Sequence, residues 1–281
     1  MALVTTTEMF KKAYEGGYAI GAFNINNMEI IQGIVSACKK HNSAVILQVS
    51  KSALKYAHPL YLKKMVDAAV EETGLDIALH LDHGPDFETC KLCIESGFTS
   101  VMFDGSHLEL DENIKVTKEV IKLAKKYGAD VEAEIGCVGG SEDGSEDIAI
   151  NCTKPEDAVK FEKETGVDAL AIAIGNAHGN YKSTPKLRFD ILEEVEKNTK
   201  LPLVLHGGTG ITPDDFVRCA HTGIKKINIA TATFDSVEHT VKSAYEKGEI
   251  SGYYDLQGAE VEGAYQNAKK HILIFGTDNK A

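Results

Sequence analysis

The chain has 281 residues, of which 43% are hydrophobic and 26% are charged, so its composition is that of a globular protein and not of a disordered one. Its formal net charge of -12 argues against binding to nucleic acid or to an anionic membrane surface, because both partners attract clustered lysine and arginine. An anionic small-molecule substrate would therefore need hydrogen-bond donors placed locally around it.

The amino-terminal segment, MALVTTTEMFKKAYEGGYAIGAF, has neither the apolar core nor the cleavage pattern of an export signal. Nowhere do eighteen apolar residues follow one another, so no membrane-spanning helix is predicted. We therefore expect a cytoplasmic protein whose six cysteines are free thiols. Cys90 and Cys93 form a single C-x2-C pair in a predicted helix, and packing of both thiols explains them better than a zinc ribbon, which needs a second pair.

Short apolar or β-branched runs alternate with amphipathic stretches along the whole chain, the pattern that predicts βαβ units and a parallel sheet. The count of eight runs and the length favour an α/β protein with a single (β/α)8 TIM barrel domain over residues 1–281, rather than an open doubly wound sheet. The runs are residues 19–23, 44–49, 77–81, 99–103, 130–134, 168–174, 202–205 and 225–229.

Helical periodicity follows these runs, for example from Ile30, from Leu60 and from Glu112 to a helix stop at Gly128. A further helix is predicted from about Gly258. The least regular segment, residues 136–157, is rich in glycine, serine and acids. Loops of this length are either functional lids or solvated surface excursions, and the sequence statistics alone leave both open.

Polar groups follow every predicted strand, at the end where barrel active sites are built. This placement predicts that they converge above the barrel axis. They are Asn24, Ser50, Asp82 with His83, Asp104, Glu134, the segment from Gly175 to His178, His206, and the segment from Asn228 to Thr231.

Three of these strand-end residues are histidines: His83, His178 and His206. Three nitrogen ligands leave one coordination position open, which is the arrangement of a catalytic rather than a structural zinc site. Imidazole suits zinc, although ligand type leaves cobalt and iron open. Asp104 and Glu134 end neighbouring strands, where they would hold His83 in place or offer a second metal position.

Glycines at the ends of the seventh and eighth strands predict a phosphate site, because barrels often bind phosphate with these two loops and a helix N-terminus. Gly207, Gly208 and Thr209 follow the seventh strand, and Thr231 follows the eighth. Glycine lets backbone N–H groups approach an anion closely. Alone this is a weak signal, since glycine also serves ordinary turns, but beside a metal site it becomes specific.

Seven strings together resemble the class II fructose-bisphosphate and tagatose-bisphosphate aldolases. The resemblance runs from residue 21 to residue 276, in the order of the family, and implies a lyase of carbohydrate metabolism that cleaves a ketose bisphosphate to dihydroxyacetone phosphate and glyceraldehyde 3-phosphate. The strings are LHLDHG (79–84), SVMFDGSH (100–107), VEAEIG (131–136), GGSEDG (139–144), AIGNAHGNYK (173–182), LVLHGGTG (203–210) and KINIAT (226–231).

The resemblance also implies roles for individual residues. Zinc ligands would be His83, His178 and His206, with alternative metal positions at Asp104 and Glu134. Asp82 would be the catalytic aspartate and Glu142 the acid of a mobile loop. Lys182 would lie where such enzymes often have a monovalent-cation loop for Na⁺ or K⁺, and the chain would form a homodimer or homotetramer. Substrate contacts would come from Asn24, Ser50, Gly179, Gly207, Gly208, Thr209, Asn228, Ala230 and Thr231.

Several alternatives remain at this point. A Schiff-base aldolase needs a desolvated lysine near a strand end, whereas Lys225 and Lys226 are predicted at the start of the eighth strand. Ala230 favours a tagatose enzyme and the double glycine of HGGTG a fructose enzyme, and another phosphorylated ketose is also open. A metal-dependent hydrolase would need a His-x-His pair at the first strand, where Asn24 stands. A metal-binding barrel without turnover is the remaining alternative.

Overall fold

The computed structural model describes residues 3–140, 149–181 and 185–281. The strands are β1 (Ile20–Asn24), β2 (Val45–Val49), β3 (Ile77–Gly84), β4 (Ser100–Phe103), β5 (Asp130–Ile135), β6 (Gly139–Gly140), β7 (Ala169–Ile172), β8 (Ala177–His178), β9 (Leu203–Leu205) and β10 (Ile224–Ile229). Eight of these strands are parallel and close into a barrel, as predicted, in the order β1-β10-β9-β7-β5-β4-β3-β2. The two short strands β6 and β8 pair with each other outside the barrel.

Eleven helices form within the described ranges, and most of them cover the outside of the barrel. None of these helices combines the length and the apolar character needed to cross a membrane. The bounds are α1 (Thr6–Gly16), α2 (Met28–Lys40), α3 (Lys51–Tyr56), α4 (Pro59–Thr73), α5 (Phe87–Glu95), α6 (Leu110–Tyr127), α7 (Pro155–Thr165), α8 (Phe189–Asn198), α9 (Pro213–His221), α10 (Thr231–Glu246) and α11 (Tyr253–Phe275).

The predicted elements agree with the structure except at their ends. Helix α6 stops at Gly128, whose positive φ of 70° closes the helix as the sequence predicts. Helix α11 begins at Tyr253, about five residues earlier than expected, because Asp255 accepts hydrogen bonds from the backbone at Ser251 and Gly252. Cys90 and Cys93 are free, buried thiols in α5, as predicted.

Helix α1, which the sequence analysis did not predict, closes the amino-terminal end of the barrel. Its Phe10 packs with Ile20, Ile46 and other apolar side chains that point into the barrel. The Asp130 carboxylate at the start of β5 accepts hydrogen bonds from the Thr7 amide at 2.6 Å and the Thr6 hydroxyl at 3.0 Å. A carboxylate at a helix N-terminus is favourable, so this contact holds α1 across the floor of the barrel. The βα loops surround the opposite, carboxyl-terminal end of the barrel.

Candidate active site

An irregularity in β3 brings Asp82 and His83 to the same site. Strand β3 runs three residues further than predicted, and its pairing with β4 shifts register between Leu81 and Gly84. His83 has a φ of 48°, a left-handed conformation that is uncommon for a residue other than glycine. Neighbouring residues of a regular strand point to opposite faces, so this bulge lets both side chains serve the barrel mouth. Strain of this kind concentrates at functional sites.

The three predicted histidines converge at the carboxyl end of the barrel. Their ligand nitrogens lie within 4.8 Å of one another. The Nε2 atom of His83 is 2.7 Å from the Nδ1 atom of His206. Two ring nitrogens at this distance need either a hydrogen atom or a metal ion between them, because facing lone pairs repel. The donor set therefore fits a divalent ion bound by imidazole.

The charges around the rings agree with a cation at this point. Burial alone would lower the pKa of His83, but its hydrogen bond to Asp104 and the charge of Asp82 raise that pKa well above its ordinary value. Burial and the charge on His83 hold the pKa values of His178 and His206 well below theirs. The raised pKa of His83 agrees with the hydrogen bond that its Nδ1 atom donates to the Asp104 carboxylate.

Asp104 and Glu134 form a second candidate metal group with His83. Asp104 Oδ2 accepts from His83 Nδ1 at 2.7 Å. Burial would raise the pKa of Asp104, but the hydrogen bonds from His83 and Ser106 lower it below its usual value. Burial and the charge of Asp104 raise the pKa of Glu134 to about 8. Glu134 Oε2 is buried without a hydrogen-bond partner among the described residues, as expected of an atom that meets a ligand.

Asp82 is held by three amide side chains inside the barrel. Its Oδ2 atom accepts from Asn24 at 3.0 Å and from Gln48 at 3.1 Å, and its Oδ1 atom accepts from Asn228 at 3.1 Å. Asp82 is only 1% exposed. Because the donors come from three different strands, the carboxylate has little freedom to rotate. Asn24 and Asn228 were predicted to belong to the site, whereas Gln48 was not.

A fully buried ion pair lies directly beneath the histidines. The Nζ atom of Lys226 is 2.8 Å from Oε2 of Glu132, and Oε1 of Glu132 is 2.8 Å from Nε2 of His206. The sequence pattern predicts Lys226 at the start of its strand, away from the site, whereas it is the third residue of β10 and its side chain contacts the site through Glu132. His80 lies beside the pair, 3.4 Å from Lys226 Nζ, and bonds to Ser100.

The predicted phosphate loops lie side by side at the barrel mouth. Gly207 has a φ of 62°, and a Cβ atom there would lie 2.1 Å from the carbonyl oxygen of Ala177. The Gly208 amide donates to the carbonyl of Asn228, and the Thr209 hydroxyl accepts from the amide of Ala232 in the first turn of α10. Thr231 begins α10, and Ala230 precedes it without a side-chain cap. The backbone amides of this helix start therefore face the glycine loop.

Tyr181 connects this phosphate loop to the strand that carries His178. Its hydroxyl donates to the carbonyl of Gly207 at 2.9 Å and accepts from the amide of Ala177 at 2.7 Å. Short strand β8 also pairs with β6, which places Gly140 against His178. Gly179, which follows β8, has a φ of 76°.

The remaining predicted residues lie near the mouth or outside the described ranges. Asn24 and Ser50 line a common cavity at the ends of β1 and β2. Ser50 also accepts from the amide of Ala53 and caps the start of α3. Glu142 and Lys182 lie outside the described residues.

Comparison with known proteins leads to one family. The family profile described as fructose-bisphosphate aldolase class-II matches residues 4–280. Fructose-bisphosphate aldolase from Staphylococcus aureus is 41% identical over 285 residues, with 100% of both chains covered. The enzyme of the same name from Geobacillus stearothermophilus is 43% identical over 289 residues, with 100% of this chain and 99% of the relative covered.

Solved structures agree with the sequence comparison. The YdjI aldolase from Escherichia coli K12 superposes with a TM-score of 0.89 at 29% identity, with 100% of both chains covered. Fructose-bisphosphate aldolase from Campylobacter jejuni gives a TM-score of 0.86 at 24% identity over 100% of this chain and 97% of that one, a likeness of fold. The chain belongs to the class II fructose-bisphosphate aldolase family, a family of generally metal-dependent lyases of carbohydrate metabolism.

Proposed function

We propose that the chain reversibly cleaves fructose 1,6-bisphosphate to dihydroxyacetone phosphate and glyceraldehyde 3-phosphate, with zinc held by His83, His178 and His206. The observation that carries the proposal is the convergence of three imidazoles, from three separate parts of the chain, beside Asp82 and a glycine loop. Zinc suits three imidazole ligands and an open position. The chemistry that such an ion supplies is polarisation of the ketone carbonyl next to the bond that breaks.

Asp82 is the group proposed to exchange a proton with the hydroxyl at the bond that breaks. Its support is geometric: three amides hold the carboxylate in one orientation, and its charge acts on all three histidines. A positioned carboxylate is a common general base. Glu142 is proposed to move the proton on the carbon of the triose phosphate, on the strength of the GGSEDG match alone. Asp104 and Glu134 are proposed as a second metal position.

The triose phosphate is proposed to bind between the glycine loop and the start of α10. Backbone donors suit this acidic chain, whose net charge of -12 would otherwise repel a bisphosphate. A monovalent cation near Lys182 is proposed to assist. The contacts proposed for the phosphate are Gly179, Gly207, Gly208, Thr209, Asn228, Ala230 and Thr231, with Asn24 and Ser50 lining the rest of the substrate pocket.

Fructose 1,6-bisphosphate is preferred over tagatose 1,6-bisphosphate because the relatives from Staphylococcus aureus and Geobacillus stearothermophilus are named for the fructose compound. Ala230, which caps α10 without a side-chain contact, is the feature that favours the tagatose compound or another ketose phosphate. Cleavage rates measured on both bisphosphates decide this. A higher kcat/KM on the tagatose compound would contradict the substrate proposed here.

Metal content measured alongside activity, before and after chelation, tests the reaction class. We expect about one zinc ion per chain at the histidine site, loss of aldol cleavage on chelation and recovery when zinc is restored. Activity that survives chelation and is trapped by borohydride would instead show a Schiff-base lysine. Metal binding without any aldol cleavage would show a barrel that binds metal but does not turn over.

We also propose that the chain forms a homodimer or homotetramer through α11. Tyr253 and Tyr254, at the start of this helix, are 70% and 86% exposed. Aromatic side chains are enriched at protein interfaces. Sedimentation equilibrium of the wild-type chain and of a Tyr253→Ser, Tyr254→Ser variant tests this, and a wild-type monomer would contradict it.

A further inference from the structure

The ion pair between Lys226 and Glu132 crosses the inside of the barrel. Lys226 comes from β10 and Glu132 from β5, and two strands, β9 and β7, separate them in the barrel. The two side chains are 0% and 2% exposed. A charge buried this deeply is strongly unfavourable unless a counter-charge and hydrogen bonds compensate it. Such a pair needs an explanation beyond packing, because apolar residues would fill the same space at lower cost.

Glu132 divides its two oxygens between the lysine and a candidate metal ligand. Oε2 contacts Lys226 Nζ at 2.8 Å, and Oε1 contacts His206 Nε2 at 2.8 Å. The other nitrogen of His206, Nδ1, faces His83 Nε2 at 2.7 Å. A carboxylate that accepts from Nε2–H leaves Nδ1 with the lone pair that a metal ligand requires. Glu132 therefore determines both the orientation and the tautomer of His206.

His80 is the other group that could bond to Glu132 from inside the barrel. Its Nε2 atom is 3.6 Å from Glu132 Oε2, too long for a hydrogen bond, and its Nδ1 atom bonds to Ser100. Burial and the charge of Lys226 hold the pKa of His80 well below its ordinary value. Lys226 is thus the cation that faces Glu132.

We propose that Lys226 is a positioning residue: by binding Oε2 of Glu132 it holds Oε1 in place as the acceptor for His206 Nε2 and so directs His206 Nδ1 to the metal. This inference rests on the metal site proposed above. It gives the interior lysine, Lys226, a role in a reaction that is proposed to proceed without a Schiff base. The rival role is purely structural, an ion pair that fills the barrel without affecting metal binding.

Zinc affinity separates the two roles without an activity assay. Metal-free wild-type chain and the variant Lys226→Met are titrated with Zn²⁺ against a chromophoric chelator. We expect the dissociation constant of the variant to rise about 10- to 100-fold, the usual effect of losing a group that orients a metal ligand. Unchanged affinity in a folded Lys226→Met chain overturns the proposal.

The neighbouring lysine provides a matched control. Lys225 donates to the carbonyl of Ala220 at 2.8 Å and lies over the ring of Tyr14, away from the histidines. The variant Lys225→Met loses the same charge from the same strand, and we expect its zinc affinity to equal that of the wild type. An equal loss in both variants would show a general effect of charge or stability and would overturn the proposal.

Two further measurements test the proposal if the Lys226→Met chain does not fold. The double variant Glu132→Leu, Lys226→Met contains neither buried charge, and we expect it to fold and to bind zinc at least tenfold more weakly. In the zinc-loaded wild type, ¹⁵N NMR of labelled histidine should show His206 bound through Nδ1 and protonated at Nε2. The opposite assignment overturns the proposal whatever the variants do.

The outcomes also distinguish this inference from the proposed function. A wild-type chain that binds no zinc, or that is trapped by borohydride, contradicts the proposed function itself. A wild-type chain that binds zinc and cleaves the ketose, with unchanged affinity in Lys226→Met, contradicts only the role of Lys226.

Discussion

The two ends of the barrel interior differ sharply in chemistry although the same strands form both. The amino-terminal half is filled by small and branched apolar side chains and closed by α1, whereas the carboxyl-terminal half is filled by amides, imidazoles, carboxylates and one lysine. The apolar set includes Ile20, Ala22, Ile46, Ala78, Ala169, Ala171 and Val204. The polar set includes Asn24, Gln48, His80, Asp82, Glu132, Glu134, His206, Lys226 and Asn228.

This difference assigns stability to one half and function to the other. Apolar burial stabilises the fold without directional demands, while each buried polar group costs free energy unless it is bonded. Most buried polar atoms in the carboxyl-terminal half have a hydrogen-bond partner within the chain. The exceptions among the described residues include Gln48 Oε1, Glu134 Oε2 and Asn228 Oδ1, three acceptors around the site. Sugar hydroxyls are donors, so a polyol substrate or a metal ion would complete this half.

Removing Asp82 should give the largest effect on function. We expect Asp82→Ala to lower kcat about 10³- to 10⁴-fold, equivalent to about 4 to 5.5 kcal/mol, because the proposed general base is lost. Zinc affinity should change less than tenfold, since Asp82 is not proposed as a ligand. Steady-state kinetics and zinc titration measure both quantities.

Asp86, four residues further along, is the matched control. It is an exposed carboxylate that caps α5 through the amide of Thr89. Asp86→Ala should lose about 1 kcal/mol of stability and retain kcat. Turnover by Asp82→Ala close to that of Asp86→Ala would exclude the catalytic role.

Truncation of Phe10 tests the apolar half. Phe10 is 1% exposed in the floor of the barrel, so Phe10→Ala should lower the free energy of unfolding by about 4 kcal/mol. The kcat of the folded fraction and its zinc affinity should not change, because Phe10 packs among the apolar side chains of the floor. Urea unfolding compares this variant with Lys11→Ala, an exposed position on the same helix that should cost little. A loss of zinc affinity in folded Phe10→Ala would show that the two halves are coupled.

The sequence predicts the residues of the carboxyl-terminal half mainly where they follow the ends of the strands. Asp104 and His206 follow apolar runs, so their position above the barrel is readable from the strand pattern. Glu132, Lys226 and Gln48 lie within strands, where alternation alone does not say which face points inward. A signal was present nonetheless: Glu132 precedes Glu134 by two residues, and Lys226 precedes Asn228 by two, so each shares a face with a predicted site residue.

Two features of the fold depend on contacts between distant segments. The left-handed conformation of His83 depends on the register shift between β3 and β4, which is a tertiary contact. Helix α1 itself has a helical pattern of buried residues and a stop at Gly17, but its place across the barrel floor depends on Asp130, more than 120 residues away in the sequence. Local periodicity could predict this helix but neither its position nor the conformation of His83.

A buried histidine outside the barrel extends the comparison, because none of the described residues gives it a carboxylate partner. His271 of α11 packs against the rings of Phe23, Phe216 and Phe275, and burial lowers its pKa to about 4. The unfolded chain therefore binds a proton between pH 6.5 and 4 that the folded chain does not, so the stability of the protein falls as the pH falls through this window. The cost approaches about 3 kcal/mol at pH 4.

We expect His271→Phe to lack this contribution. Between pH 7.5 and 5 the wild type should lose about 2 kcal/mol more stability than the variant. Urea unfolding at both pH values measures this difference, and His239→Gln, at an exposed position, should behave as the wild type. Parallel losses in the wild type and His271→Phe would show that the aromatic surroundings do not keep this imidazole neutral.

Replacing Tyr181 should give the smallest effect. Its hydroxyl connects the strand that carries His178 to the glycine loop that is proposed to bind phosphate. Tyr181→Phe loses one donated and one accepted hydrogen bond, to Gly207 and from Ala177, worth about 1 kcal/mol each. Because the loop is proposed to position phosphate rather than the reacting bond, KM should rise about tenfold while kcat changes little. The exposed Tyr127→Phe should match the wild type. A fall in kcat with unchanged KM would place Tyr181 with the polar half that carries the chemistry rather than with substrate binding.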